Sequence, residues 1–290
     1  MLKNIYKITI LFITAINLNA IVISNEIDSV SEKIINSLLD KAQNENWHQL
    51  NFDKLIIEVA SQFIGTDYQG GTLEGNYEVC RVNFNGLDCV TFVESVLNIS
   101  RIIKQEKYNI EDLFESIIQT RYRDGIITDY TSRLHYTADW IYQNTKNHIV
   151  TDITPQFGAE KIIFKVNFMS KNSKYYKALT DNPEFINKIE LQEKDINSRT
   201  YYYIPKSKIK QIESKLQNGD IICIVTNKSG LDYAHLGFVY KHLDGTSRLM
   251  HASSTQKKVI IDTTISEYLN SVKTHSGITI LRPQEPKNYD

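Results

Sequence analysis

The chain has 290 residues with 33 Lys and Arg against 34 Asp and Glu, a formal charge of −1. Such a balance gives no general attraction to polyanions, so nucleic acid is not an expected partner. The length suits one elaborated domain, and 3 cysteines are too few for a fold built on disulfides.

At the N-terminus Lys3 and Lys7 precede an apolar run over 8–18, and Asn19-Ala20 follows it, the layout of a secretory signal ending at residue 20. Thr9, Thr14 and Asn17 interrupt the run, which is too short for a comfortable membrane span; a buried strand is the alternative reading. No Cys follows the cleavage point, which excludes lipid attachment there, and losing the two lysines moves the charge from −1 to −3. Residues 21–290 are then a single domain, periplasmic or secreted.

Apolar spacing predicts helices over 27–43 and around Leu55, Ile56, Val59, Ala60 and Phe63. Next comes a turn-rich Asn83-Phe84-Asn85-Gly86 and then Asp88, a good helix cap. Cys89 should open a buried helix reaching about Lys104, since Val90, Phe92, Val93, Val96 and Leu97 follow at helical spacing. A further helix is predicted over 110–120 and a strand over 161–168. Residues 170–199 interleave Asn, Lys and Asp and read as a polar excursion outside the core. From Thr200 the pattern turns to strands, predicted at 220–226, 234–240, 247–251, 258–262 and 278–281, with one short helix over 207–216 whose wet face carries Lys206, Lys208, Lys210 and Lys215. Helices first and a mostly antiparallel sheet afterwards is the α+β order.

A Cys at a helix N-terminus meets unpaired N–H groups and the positive end of the helix dipole, which favour a thiolate. The plainer alternative is a small buried apolar residue. Two histidines far downstream favour the first reading. His235 sits in Tyr233-Ala234-His235-Leu236-Gly237-Phe238-Val239-Tyr240, which alternates like a strand, and His251 ends the strand after it. Together they supply a nucleophile (Cys89), a base (His235) and a group to orient the base (His251). His48, His148, His242 and His275 have no such context and read as solvated or packing residues. The same trio could ligate zinc, but no fourth ligand recurs at close spacing, so neither metal nor cofactor is expected. Cys80 and Cys223 could pair in an oxidising compartment and leave Cys89 free.

These blocks resemble the NlpC superfamily of papain-like cell-wall cysteine hydrolases. The matching pieces are Gly65-Thr66-Asp67-Tyr68-Gln69-Gly70-Gly71-Thr72, Asp88-Cys89, and His235-Leu236-Gly237 with His251-Ala252-Ser253. Gly71-Thr72-Leu73-Glu74, Leu87-Asp88-Cys89-Val90-Thr91-Phe92-Val93-Glu94, Arg121-Tyr122-Arg123-Asp124-Gly125, Ser132-Arg133-Leu134-His135-Tyr136, Tyr203-Ile204-Pro205-Lys206 and Gly219-Asp220-Ile221-Ile222 are similar to its N-acetylmuramoyl-L-alanine amidase-like family. Val90 departs from the Ser-Gly that many superfamily members carry after the Cys.

The resemblance implies a papain-like α+β fold with the nucleophile helix packed on the sheet and a large insertion at about 105–200. It also implies cleavage of the amide between N-acetylmuramic acid and L-alanine. The wider superfamily more often cuts the γ-D-glutamyl–diamino acid bond of the stem peptide, and that reading stays open, as does a non-catalytic peptidoglycan-binding module. The Tyr68 hydroxyl, placed by the loop resemblance, joins the Cys89 N–H as a candidate oxyanion donor. Aromatic and cationic residues crowd the insertion. Arg121, Arg133, His135, Tyr136 and Trp140 are expected to hold muropeptide sugars and carboxylates, packed aromatics on a surface helix being the alternative. The expected partners are thus peptidoglycan fragments, bound by a monomer.

Overall fold

The structure, a computed structural model, describes residues 25–287; the expected signal segment at 1–20 lies outside the described residues. A short strand, β1 (Glu26–Ile27), leads into α1 (Ser29–Asn44) and α2 (Phe52–Ser61). Asp28 caps α1 by accepting from the N–H groups of Val30 and Ser31, and Ile35, Leu38, Leu39 and Ala42 form its buried stripe. Three two-residue strands, β2 (Asp67–Tyr68), β3 (Arg81–Val82) and β4 (Gly86–Leu87), precede α3 (Cys89–Lys104) and α4 (Ile110–Arg121). The four helices predicted for this half are all present, displaced at their ends by a few residues at most.

The insertion holds α5 (Thr137–Lys146), β5 (Val150–Asp152), β6 (Glu160–Ile162), α6 (Phe168–Lys171), α7 (Lys177–Asp181) and α8 (Glu184–Ser198). Two expectations need correction here. The strand expected over 161–168 is only Glu160–Ile162, because the chain leaves the sheet at Ile163, which is 61% exposed. The polar excursion is not outside the core: α8 runs through it and buries Ile189 and Ile196, with Leu179 beside them. Two isoleucines seven apart lie on one helical stripe, but the Glu193 between them on that stripe disguised it.

The last part alternates β7 (Tyr201–Pro205), α9 (Ile209–Ile212), β8 (Ile221–Thr226), β9 (Tyr233–Lys241), β10 (Ser247–Ser253), β11 (Lys258–Thr264), α10 (Ile265–Ser271) and β12 (His275–Pro283). Nine strands line up as β4-β2-β11-β10-β9-β8-β12-β7-β6, and β5 joins β12. Pairing is antiparallel except between β2 and β4. The result is a mixed α+β fold with apolar cores on both sides of the sheet. Cys223, Val225, Leu236, Phe238, Met250 and Ala252 pack with the residues of α1–α4, while Ile222, Ile224, Val239, Leu249 and Ile278 pack with Ile209, Ile212, Ile265 and Leu269. Alternation along each strand supplies both faces. Cys80 and Cys223 are free thiols, so the disulfide considered above is not formed.

Candidate active site

The approach to Cys89 is built locally. Asn83 Oδ1 accepts from the N–H groups of Asn85 (2.8 Å) and Gly86 (3.0 Å), turning the chain into β4. Parallel pairing of β4 with β2 sets Tyr68 opposite Leu87, two residues ahead of the cysteine. A reciprocal capping box then starts α3: the Thr91 N–H donates to Asp88 Oδ1 (2.8 Å) and the Asp88 N–H to Thr91 Oγ1 (2.9 Å). Cys89 is therefore the first helical residue, half-buried. One turn on, Phe92 meets Phe238 of β9 edge-on at 5.8 Å, tying the nucleophile helix to the strand that carries His235.

The backbone N–H of Leu236, next to His235, is among the groups that draw the Cys89 thiol pKa down. His235 Nε2 lies 2.5 Å from His251 Nδ1, and His251 Nε2 lies 3.2 Å from Asp262 Oδ2. The tautomers follow from the far end. A carboxylate only accepts, so His251 carries its proton on Nε2 and keeps a lone pair on Nδ1. His235 then donates its Nε2–H to that lone pair, which leaves His235 Nδ1 free to take a proton. Strand packing makes this line possible. A Cβ on Gly237 would come within 2.8 Å of the Met250 carbonyl and 3.0 Å of His251 Cβ, so only glycine lets β9 and β10 close up there.

Protonation departs from the sequence expectation of a resting thiolate. Burial pushes the Cys89 thiol up to about 12 and the Asp88 carboxylate adds to the rise, outweighing the N–H groups of Leu236, Cys89 and Val90 that draw it down. His235 falls to about 3 through burial, with His251 and His275 adding to the fall. His251 is lowered by burial, against the pull of Asp262. Thiol and imidazoles are thus uncharged near neutrality.

The insertion residues divide. Arg121 is buried, its Nε donating to Glu94 Oε2 (2.9 Å) and its Nη1 to the Arg81 carbonyl (2.6 Å). Arg133 is held by Glu78 (2.7 Å) and Glu74 (2.8 Å), and the Tyr136 hydroxyl donates to Glu193 (2.7 Å) while accepting from the Met169 N–H (3.0 Å). These three were expected to grip substrate; in the structure their polar ends meet carboxylates of the chain itself, Glu94, Glu78, Glu74 and Glu193. His135 and Trp140 line a pocket of about 30 Å³ with Val90, Val93 and Leu236, on the first turn of the helix that Cys89 opens. His135 Nε2 bonds the Tyr130 carbonyl (2.8 Å), and burial, with Arg133 adding to it, lowers the ring to about 3. Tyr68 is half-buried, its hydroxyl pKa raised by burial and by the Cys89 and Asp88 charges nearby.

Sequence reasoning missed Asp262, Tyr268 and the setting of His275. Tyr268 packs at 5.0 Å from His251, 5.9 Å from His235 and 5.7 Å from His275, centroid to centroid, and so walls the histidine pair. It comes from α10, whose seven residues were too few to show a period. Asp262 left a usable signal. His251 pairs with Ile260, and a residue two places on is its diagonal neighbour on the same sheet face.

A thiol heading a core helix beside a chain of imidazoles is what an amide hydrolase would need. The match over residues 58–278 places the chain in the AmiA-like family, described as N-acetylmuramoyl-L-alanine amidase-like, and the chain belongs to it. A crystal structure of an N-acetylmuramoyl-L-alanine amidase from Bacteroides uniformis is similar, with 32% identity over 81% of this chain and 99% of that one, TM-score 0.76. A Bacteroides fragilis protein described provisionally as a xylanase shares 34% identity over 78% of this chain and 99% of its own, TM-score 0.73. A Legionella pneumophila protein with 24% identity over 89% of this chain and 97% of its own, TM-score 0.65, shares the fold. Among curated proteins none matches. The family makes the chain an amidase-like cell-wall hydrolase whose substrate is peptidoglycan.

Proposed function

We propose that this chain hydrolyses the amide joining the lactyl group of N-acetylmuramic acid to L-alanine, on a papain-like NlpC-type fold, in the periplasm or outside the cell. Cys89 Sγ attacks the lactyl carbonyl carbon as its proton passes to His235 Nδ1. The tetrahedral oxyanion is met by the Cys89 N–H and the Tyr68 hydroxyl. His235 gives the proton to the alanine nitrogen, the C–N bond breaks and the peptide leaves with a free amine. Water, deprotonated by His235, then cleaves the thioester, releasing the muramic carboxylate and restoring the thiol. His251 holds His235 in the working tautomer and shares the positive charge that develops on it.

The observation that carries this reading is the 2.5 Å His235–His251 contact, on a strand whose Phe238 packs against Phe92 of the helix that Cys89 opens. Mass spectrometry of products from a soluble muropeptide tests it. Intact sugar and a peptide beginning with L-alanine are expected. A sugar still bearing L-alanyl-D-glutamate would place the cut inside the stem and make the chain an endopeptidase. No product, with Cys89 unreactive to alkylation, would leave a binding module.

A further inference from the structure

In the insertion, α5 and α6 begin without a cap of their own: neither the Tyr136 side chain ahead of α5 nor that of Asn167 ahead of α6 bonds the first turn it precedes. Buried N–H groups at a helix start still need acceptors. Both helices find them in the loop over 227–232, which joins β8 to β9. The Gly230 carbonyl accepts from the N–H groups of Asn167 (3.2 Å) and Phe168 (3.1 Å). Asp232 Oδ2 accepts from the Ala138 N–H at 2.7 Å, across 94 residues of sequence.

Asp232 is only 3% exposed, and its other acceptors are used on the sheet side. Oδ1 takes the Tyr233 N–H (2.7 Å), and the carbonyl takes the Thr226 N–H (3.1 Å), closing the loop. One carboxylate thus joins the first turn of α5 to the first residue of β9, the strand that carries His235. A charged acceptor at a helix N-terminus makes a strong bond of this kind. The remaining side-chain bonds from α5 to other elements, among the described residues, stay inside the insertion. Asp139 pairs with Arg123 and Arg199, Gln143 donates to Asp124, and Asn144 donates to the Thr120 carbonyl.

The two elements so joined are opposite walls of the small pocket at the start of α3. Thr137 and Trp140 of α5, with His135 just ahead of them, form one wall; Leu236 of β9 belongs to the other, with Val90 and Val93. We propose that Asp232 is a positioning residue that holds the α5 wall of this pocket in register with the histidine strand, so that substrate meets a preformed site. Its place in catalysis rests on the proposed hydrolysis, and it acts through α5 rather than on the reacting atoms.

The test compares Asp232→Ala, which removes both acceptors, with Asp232→Asn, which keeps one oxygen for the Ala138 N–H. In Asp232→Ala, KM for a soluble muropeptide should rise about tenfold while kcat falls less than about threefold. Acrylamide should also quench Trp140 fluorescence more readily than in the wild type, where that ring is 5% exposed. Asp232→Asn should raise KM only about threefold. A residue that merely stabilises the fold would lower the melting temperature and leave KM below the transition unchanged, and that result overturns the proposal. So does a loss of kcat at constant KM, or Asp232→Asn no better than Asp232→Ala. If Asp232→Ala does not fold, a wild-type KM and wild-type quenching in Asp232→Asn overturn it. Should the wild type bind muropeptide without cutting it, the same variants are read by Kd. A Kd about tenfold weaker in Asp232→Ala would then keep the positioning role and sink the reaction, and an unchanged Kd would sink both.

Discussion

Packed against α3, His235, His251 and Asp262 form a chain of polar groups that ends in a ring nitrogen of His235 with no partner inside the chain. Elsewhere, Glu94–Arg121, Glu78–Arg133 and Glu193–Tyr136 are polar pairs of similar residue types that end in each other. The first chain is open at one end and the second set is closed, and that decides what each can do. An open chain can pass a proton; closed pairs can only hold elements together. Arg121 fastens α4 to α3 and to the Arg81 backbone, and Arg133 fastens the loop after β2. Charge and aromatic density in a sequence therefore mark a network without saying whether it has a free end.

Removal of the group that the open end would serve should give the largest effect. Cys89→Ser should fold with an unchanged melting temperature and lose more than about a thousandfold in turnover, because a serine hydroxyl is a poor nucleophile for a base set up for a thiol. Cys80→Ser and Cys223→Ser should keep activity. Wild-type rates in Cys89→Ser would falsify the mechanism.

Next in size are the two histidines, which should behave unequally. His235→Ala removes the proton carrier and should cost about 10²–10⁴ in kcat. His251→Ala only frees the ring of His235 and should cost less. The double variant should lose little more than His235→Ala alone, since the two act as a unit. Losses that multiply instead would mean that the pair in contact at 2.5 Å does not work together.

The closed network should answer in stability rather than rate. Arg121→Ala strands a buried Glu94 carboxylate and should destabilise the fold by roughly 3–5 kcal/mol in urea unfolding. Below the transition, Cys89 should still alkylate at the wild-type rate. If Arg121→Ala keeps its stability but raises KM, the arginine is a substrate clamp after all and the contrast fails.

Acid should weaken the fold through the open side as well. His235 and His135 both fall from 6.5 to about 3 in the folded protein. The unfolded chain therefore binds more protons between those values, and stability present above pH 6.5 is lost as pH falls toward 3. The melting temperature should drop from pH 7 to pH 5, and His135→Gln should flatten part of that slope. A melting temperature that rises over this interval would contradict both burial assignments.

Much of this was legible in the sequence, for identifiable reasons. The Cys89 helix could be placed because Asp88 caps it and five apolar residues follow in period; His235 and His251 could be placed on strands because each sits in a short apolar run bounded by turn residues. The pairing of Arg121, Arg133 and Tyr136 could not be foreseen because their partners lie 27, 55 and 57 residues away, and no local pattern announces such a pair. Against the expected thiolate stands the burial of Cys89. The helix terminus draws the pKa down as expected, but burial and the capping Asp88 push harder, and neither magnitude can be read from spacing.

The smallest expected loss belongs to Asp262, and it is the one that probes the direction of the chain. Its carboxylate fixes the proton of His251 on Nε2 from 3.2 Å, which in turn leaves the lone pair of His235 on Nδ1. Its side chain is 25% exposed, so water can partly replace it. Asp262→Ala should therefore lower kcat by about tenfold, far less than loss of His235. KM and the melting temperature should not move, because the residue touches neither substrate nor core. Asp262→Glu should recover part of the rate by restoring an acceptor, which a merely structural aspartate would not show. A rise in KM with kcat intact would instead place Asp262 at the substrate and leave His251 to set its own tautomer.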